Sequence, residues 1–403
     1  MRNTKYKPFF DPILALLHQQ MDICGIVRNH FIALSRRYHR MYGKGLSYTQ
    51  MSAHLTKLKK LEQYKHWNIP YAWSLQQVIR DLARSYREMK TLGRGRPRFK
   101  KAKNHRGIRF NGSQVELRHV LPKQKGHRKY PVYELIAGGM TYRFSMHRRI
   151  VGEIKRVTFT RDAIGEIYLT LTEDFVESVP EPKTGKAEGF DIGIKDFLTG
   201  ANGKKYKSPM FYKQQEKKLA KEQRCLSRKV KGLNNYERQR KVVGRIHIKT
   251  ANQRAEHHWK LAVKLCRSFD VMIFENLNIA AMKALWGKIV SDLSFRSFLN
   301  KLKHQTNKRN RIFYKIGRWV PTTKRCSVCG YKNNHLMLLD RHWMCPDCET
   351  FLDRDHNAAV NILREGLASL GLGDVSPTIV DKTLVGCTVE SSSLALKSTS
   401  AFV

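Results

Sequence analysis

Gly189-Phe190-Asp191-Ile192-Gly193 is the stretch on which the reading of this chain turns. It is strand-like and apolar, and an acid inside such a strand is seldom tolerated without compensation. Taken singly, an acid is more simply a helix cap or a solvated strand end. That reading is poor for Asp191, because the flanking glycines let the backbone or a ligand approach closely. Two more acids share the setting: Glu275 ends the apolar run Val271-Met-Ile-Phe274, and Asp355 opens a helix in Asp353-Arg-Asp-His-Asn-Ala-Ala359. For Asp353 the cap reading is good. Three carboxylates brought together would repel unless divalent cations neutralised them, and two Mg²⁺ ions bridged by carboxylates are an apparatus for phosphodiester hydrolysis. Spacing alone leaves this a hypothesis.

Working outward, the strand leads through Phe197 to an Asn202-Gly203 turn, a polar helical stretch over about 211–267, and the Val271 strand. More helix follows, then a strand around Arg311 to Val320 and a last helix over about 355–365. Upstream, Pro180 to Lys186 reads as a linker. Before it, from about 107 to 178, alternation such as Val157-Thr-Phe-Thr160 and Ile167-Tyr-Leu-Thr-Leu171, with Gly165 between them, predicts hairpins. Gly93-Arg-Gly-Arg96-Pro-Arg98-Phe-Lys100-Lys101 marks a boundary. The first ninety residues predict a helical bundle: a basic amphipathic helix over about 12–42, a second starting at the capping box Ser47-Tyr-Thr-Gln50, and a third carrying Leu75, Val78, Ile79, Leu82 and Tyr86. The Ser/Thr/Gly-rich tail beyond Gly371 is expected to be disordered.

The 403 residues carry 76 Lys+Arg against 33 Asp+Glu, a net charge of +43 that fits a polyanionic partner, nucleic acid first. No run of about 18 apolar residues suggests a bilayer span, and Met1 to Asp11 does not read as a secretory leader, so the expectation is an intracellular protein with no membrane partner. Of eight cysteines, Cys24, Cys225, Cys266 and Cys387 are scattered and read as reduced thiols. Cys326-Ser-Val-Cys329 and Cys345-Pro-Asp-Cys348, fifteen residues apart and flanking a short aromatic hairpin at Trp343, have the spacing of a four-thiolate structural Zn²⁺ site.

The motifs Gly189-Phe-Asp191-Ile-Gly-Ile-Lys-Asp-Phe197, Phe274-Glu275-Asn-Leu-Asn-Ile-Ala-Ala-Met282, Pro321-Thr-Thr-Lys-Arg-Cys326-Ser-Val-Cys329-Gly330 and Asp353-Arg-Asp355-His-Asn-Ala-Ala-Val-Asn-Ile362 resemble, in order and spacing, the TnpB proteins encoded by transposons. Earlier matches are Asn29-His-Phe31, Gly43 to Tyr48, Ser74-Leu-Gln76 through Tyr86, and Pro97 to Lys100. The resemblance implies a multidomain α+β and α/β chain. A β-barrel-like domain (1–11 and 94–180) would be interrupted by a helical recognition domain (12–93). An RNase H-like RuvC domain (187–321 and 350–370) would hold an inserted zinc ribbon (322–349), followed by the tail (371–403). It implies an RNA-guided DNA endonuclease that cuts beside a short target-adjacent motif, with Asp191, Glu275 and Asp355 as the metal-binding triad for Mg²⁺ or Mn²⁺. Guide RNA and double-stranded target DNA would be its partners, in a prokaryotic, nucleoid-associated and monomeric ribonucleoprotein.

In such systems base pairing supplies sequence specificity and protein contacts read only the short motif. Gln76 is the first candidate reader, since its amide can pair with adenine N6 and N7; Tyr48 and Asn111 match motif-contacting positions in TnpB relatives. Arg96, Arg98, Lys100 and Lys101 are expected on nucleic-acid backbones. Asn357 and Lys195 lie close enough in sequence to assist the triad, with a helix-start hydrogen bonder and a solvated charge as their plain alternatives. The first strand, Lys5-Tyr-Lys-Pro-Phe-Phe-Asp-Pro12, lacks the usual Arg-hydrophobic-Tyr-Pro lead. A compact type V CRISPR effector, a guide-dependent DNA-binding regulator without cleavage, and a transposase remain alternatives.

Overall fold

The structure, a computed structural model, describes residues 1–9, 12–120, 130–175, 181–337 and 340–372. The tail, from residue 373 onward and including Cys387, lies outside the described residues. The chain divides into two compact units, Met1–Ser178 and Val179–Val403.

In the first unit, β1 (Arg2–Tyr6) leads into α1 (Ile13–Tyr42), α2 (Tyr48–Leu58) and α3 (Ala72–Thr91), and then β2 (Gly107–Asn111), β3 (Val115–Val120), β4 (Val132–Ala137), β5 (Met140–Ser145), β6 (Ile154–Arg161) and β7 (Ile167–Glu173). Alternation dictates the strands. Ile167, Leu169 and Leu171 of β7 are buried between less buried neighbours, and Gly165, at φ 88°, makes the expected turn back to β6. Two antiparallel sheets result, ordered β1-β7-β6-β2 and β3-β4-β5. Among the described residues a bridge from Pro8 to Phe144 links them, in place of a continuous closed ladder.

The helices share one apolar core with these sheets. Leu17, Met21, Cys24, Val27 and Phe31 of α1 pack with Leu75 and Ile79 of α3 and with Phe110, Phe159 and Leu169. The capping box of α2 is present: Gln50 N donates to Ser47 Oγ at 3.2 Å, and Ser47 N donates to Gln50 Oε1 at 2.9 Å. Polar side chains of α1 hold the basic strap that follows α3 by its backbone. Arg36 donates to Pro97 O (3.1 Å), Arg28 to Arg98 O (2.9 Å), and Asn29 both donates to Lys100 O and accepts from Lys100 N. With its backbone so occupied, the strap presents Arg96, Arg98, Lys100 and Lys101 to solvent.

The second unit runs β8 (Ala187–Asp191), β9 (Leu198–Gly200), β10 (Lys205–Tyr206), α4 (Phe211–Ser227), α5 (Asn234–Ser268), β11 (Val271–Phe274), α6 (Ile279–Leu285), α7 (Gly287–Leu293), α8 (Phe295–Lys308), β12 (Ile312–Lys315), β13 (His342–Met344), β14 (Phe351–Asp353) and α9 (Arg354–Ser369). Its main sheet has the order β10-β9-β8-β11-β12, with β8, β11 and β12 mutually parallel. Three expectations need correction. The helical stretch at 211–267 is two packed helices, broken where Gly232 takes φ 94°, a conformation that L side chains avoid. The strand near 311–320 covers only Ile312–Lys315. The aromatic hairpin is not enclosed by the two cysteine pairs: β13 and β14 flank the second pair, which forms its turn.

Candidate active site

Strand register brings the first two acids together. Phe190 of β8 pairs with Phe274 of β11, so Asp191 and Glu275 sit at the same level, where two adjacent parallel strands end. The third acid arrives through helix packing. A Cβ at Gly189 would lie 2.5 Å from Ala359 O and Leu363 N, so α9 crosses β8 at a distance that only glycine permits. Asp355, at the start of α9, acts on Asp191 at the end of β8, while Gly189 before it meets Ala359 and Leu363, so the two elements run antiparallel. Asp191 is two residues beyond Gly189 on the same face, and Asp355 is one turn before Ala359. Ile273, which packs against Gly366, puts Glu275 on that face too.

Burial pushes the Asp191 carboxyl up to about 7, and Asp355 and Glu275 add to the shift by repulsion. Burial also raises Glu275. Among the described residues no basic side chain forms an ion pair with either acid. Asp355 faces Arg341 Nη1 at 3.4 Å and Arg354 Nε at 3.6 Å. The three carboxylates do not all come within 4.8 Å of one another. Asp353 caps α9, accepting from the amides of Asp355 and His356 at 3.0 Å each. Burial alone would raise the Asp353 carboxyl, but Lys205 Nζ at 2.7 Å and those amides outweigh it and hold it low. His356 Nε2 meets Ala201 O at 2.8 Å, pinning the same helical turn to the residue that follows β9. A pocket of acid charge with too few internal cations is chemically suited to divalent metal.

The cysteine module fits zinc closely. Cys326, Cys329, Cys345 and Cys348 place their sulfurs within 4.8 Å of one another, with Cys326–Cys348 at 3.7 Å and Cys329–Cys345 at 3.5 Å. A tetrahedral site with Zn–S near 2.3 Å requires S–S separations of about 3.8 Å. The two knuckles repeat one backbone pattern. Cys326 N donates to Tyr331 O and Gly330 N to Cys326 O; Cys345 N donates to Thr350 O and Glu349 N to Cys345 O. Gly330 and Glu349 hold equivalent left-handed positions at φ 85° and 54°.

Asn357 is buried and turned to this module: its Oδ1 accepts from Ser327 N (2.8 Å) and its Nδ2 donates to Arg325 O (2.7 Å), while Asn361 donates to the carbonyls of Thr322 and Arg325. It joins α9 to the first knuckle, a positioning role distinct from direct help to the acids. Lys195 is exposed in the loop after β8.

In the first unit, Tyr48 opens α2 and lies under Arg80, whose guanidinium is 5.0 Å from the ring centre. Arg80 is one turn beyond the half-buried Gln76 on α3, so Tyr48 and Gln76 reach one helix face. Asn111 ends β2, the strand along which α3 packs through Ser74 and Arg109, and donates to Ser113 Oγ at 2.8 Å.

The sequence reading missed Glu188. It looks like a solvated strand residue beside glycine, yet it is 3% exposed and accepts from Asn202 N at 3.2 Å. Burial raises its carboxyl to about 7. Because the folded-state value exceeds the unfolded one near 4.5, the associated stability is complete below about pH 4.5 and is lost as pH rises through 7. Glu188→Gln should therefore gain on the parent by roughly 3 kcal/mol between pH 4.5 and pH 8. Paired melts at the two pH values measure this, and a pH-independent difference would refute it.

A family described as "Probable transposase" (OrfB_IS605) matches residues 168–285, and the Cas12f1-like TNB domain matches residues 295–362. A Streptomyces pristinaespiralis protein named "Putative RNA-guided DNA endonuclease" is 31% identical over 347 residues, covering 85% of this chain and 84% of the relative. InsQ of Escherichia coli (strain K12), which has the same designation, is 27% identical over 87% of this chain and 89% of its own length. The chain belongs to the TnpB family. Its fold is also similar to that in a cryo-EM structure of the Cas12f1–sgRNA–target DNA complex, with TM-score 0.55 and 16% identity over 88% of this chain and 83% of that one. For the mini-RNA-guided endonuclease CRISPR-Cas_phi3 the TM-score is 0.53 at 9% identity, over 91% and 92%. TnpB membership accounts for the order of motifs from Asp191 to Asp355. No described helix is long and apolar enough to cross a membrane.

Proposed function

We propose that this chain is a guide-RNA-directed DNA endonuclease that cleaves complementary DNA beside a short motif, with Asp191, Glu275 and Asp355 as its catalytic carboxylates. The observation that carries this reading is the meeting of three acids from β8, β11 and α9 on one face of a mixed sheet, where two adjacent parallel strands end, two of the acids forming no ion pair among the described residues. We read that sheet as an RNase H-like, RuvC-type core, the Cys326–Cys348 segment as its zinc ribbon, and the first unit as a barrel-like domain with a helical recognition insertion. The three acids would hold Mg²⁺ or Mn²⁺, which when bound supplies activation of water and charge stabilisation at the leaving 3′ oxygen. The chain's own contribution is placement: the Asp353 cap and the His356 contact fix the turn bearing Asp355, and Arg341 offers a cation at the edge of the site.

Guide RNA and target DNA explain the net charge of +43, because a heteroduplex presents two phosphate backbones. The strap side chains Arg96, Arg98, Lys100 and Lys101 are available for them, and Tyr48, Gln76 and Asn111 are the proposed motif readers. The assembly is a monomeric ribonucleoprotein acting near the nucleoid. Sequencing the RNA that copurifies with the protein, and then offering the complex a matched plasmid, tests the reading. Copurifying RNA from a transposon end and guide-matched cutting are expected. RNA from a repeat array would favour a type V effector, which the match at residues 295–362 also fits, and the absence of guide-matched cutting would sink the proposal.

A further inference from the structure

Glu188 plays no part in the cleavage proposed above, although an acid so completely enclosed is costly to keep in a strand. It alternates with Gly189 along β8 and so lies on the opposite face of the sheet from Asp191. Three observations nevertheless connect it with the acid on α9. The first is what Glu188 holds. Its Oε1 accepts from Asn202 N at 3.2 Å, in the turn between β9 and β10. Burial raises the carboxyl, while the amides of Asn202, Ala201 and Gly189 favour its charged form. The turn closes on itself: Gly200 N donates to Lys204 O and Gly203 N to Gly200 O, each at 2.9 Å, and Lys204 N donates to Asn202 Oδ1 at 2.9 Å.

The second observation is what meets the turn from the helix side. His356 Nε2 lies 2.8 Å from Ala201 O, and because a carbonyl only accepts, that nitrogen carries the proton. A Cβ at Gly203 would stand 4.0 Å from the same nitrogen, and one at Gly200 would meet Asn202 Oδ1 at 2.8 Å and Glu188 Cδ at 3.5 Å. The turn is therefore held between Glu188 and His356. The third observation is a second grip on α9 by the same hairpin. Lys205 Nζ of β10 reaches Asp353 Oδ2 at 2.7 Å, and Asp353 Oδ1 accepts from the amides of Asp355 and His356. Asp355 lies between the two grips, two residues after Asp353 and one before His356.

We infer that Glu188 is a positioning residue for Asp355: by holding the Asn202 turn it fixes the carbonyl on which His356 docks, and with it the place of the α9 carboxylate beside Asp191. An apolar side chain of the same size would fill the space and leave the Asn202 amide without its acceptor. The inference rests on the nuclease reading for its purpose. The coupling from Glu188 to α9 can be tested independently of cleavage.

Two variants of similar shape isolate the acceptor. Glu188→Gln keeps it and Glu188→Met keeps only the bulk, and both remove the buried carboxyl, so both are expected to fold. Hydrogen exchange is measured on the full, zinc-loaded chain without other divalent metal. Glu188→Met should speed exchange by on the order of tenfold, the worth of one hydrogen bond, both in the Ala201–Lys204 turn and at the amides of Asp355 and His356. Glu188→Gln should leave both segments as in the parent. A rise confined to the turn, or equal behaviour of the two variants, would overturn the inference. Mn²⁺ alone, titrated into the same chain and followed by electron paramagnetic resonance, gives a second readout. Glu188→Met and His356→Phe should each raise the half-saturating Mn²⁺ concentration by on the order of tenfold, as the loss of an outer-shell partner does. Because the two act along one path, the double variant should be no worse than the more severe single one; shifts that multiply would mark independent sites and overturn the inference. If the guide-loaded parent cuts nothing while the exchange and Mn²⁺ results hold, the nuclease reading fails and the positioning role stands. If it cuts and Glu188→Met matches Glu188→Gln in exchange, Mn²⁺ binding and cleavage, the positioning role fails alone.

Discussion

Asp191→Ala, Glu275→Ala and Asp355→Ala are each expected to take guide-matched cleavage to background, a loss well beyond the ~10–100-fold typical of removing an outer-shell partner of a metal ligand. Guided DNA binding should persist, because the basic strap that would hold the polyanions is untouched. Gel-shift and cleavage assays on the same preparations separate the two effects, and a triad variant that cuts as well as the parent would end the assignment. The physical state of Asp191 adds a second signature. Its carboxyl, shifted up to about 7 by burial and then by Asp355 and Glu275, costs the metal-free fold stability once it ionises. The sign follows from linkage: the cost is absent below about pH 4, where the carboxyl is protonated in both states, and complete above 7. Asp191→Asn should therefore be inactive and, at pH 8 without divalent metal, more thermally stable than the parent. Stability given up at a working site and recovered when the site is disabled is a common pattern.

Zinc removal is expected to have the other large effect. The module's own core contains Cys326, Leu336, Trp343, Cys345 and Leu352, too few side chains to hold a fold unaided. Structural zinc in small modules contributes roughly 10–16 kcal/mol, so metal-free protein should lose hydrogen-exchange protection across the knuckles while the sheet containing Asp191 keeps its own. Cleavage should fall as well, since Ser327 and Arg325 would no longer brace Asn357, two residues from Asp355. Elemental analysis should find one zinc per chain, and none in a Cys326→Ser/Cys345→Ser double variant. Stoichiometric zinc in that variant, or undiminished cleavage without zinc, would contradict this account.

What was legible in the sequence is what local chemistry marks. Asp191 stood out because an acid interrupts an apolar strand, the cysteines because their spacing suits one ion, and Ser47 because its capping partner lies three residues on. What was not legible depends on distant partners. The break at Gly232 hides inside a long polar stretch that is helical on both sides. Glu188 acquires its burial only when β9 pairs with β8 and the Asn202 turn folds over it. For Asn357 the sequence leaves open a helper of the triad or a helix-start hydrogen bonder, because its actual partners, Ser327 N and Arg325 O, lie about thirty residues away.

One feature of α9 bears on how such chains diversify. The excursion containing the knuckles runs from the end of β12 to the start of α9, and its departing segment is fastened to α9 by Asn361 through the carbonyls of Thr322 and Arg325. Because both ends are tied down beside the same helix, the loop between the knuckles is free to lengthen or shorten. A doubled loop adds only about 0.6 kcal/mol of closure entropy. Asp353 and Asp355 would register a change that reached Arg341 or His342, which contact them from within the span, so the freedom lies between the first knuckle and Arg341. The stretch between Gly330 and Arg341 is thus a graft site, where new segments can be tried while both knuckles and the contacts to the acid centre stay in place.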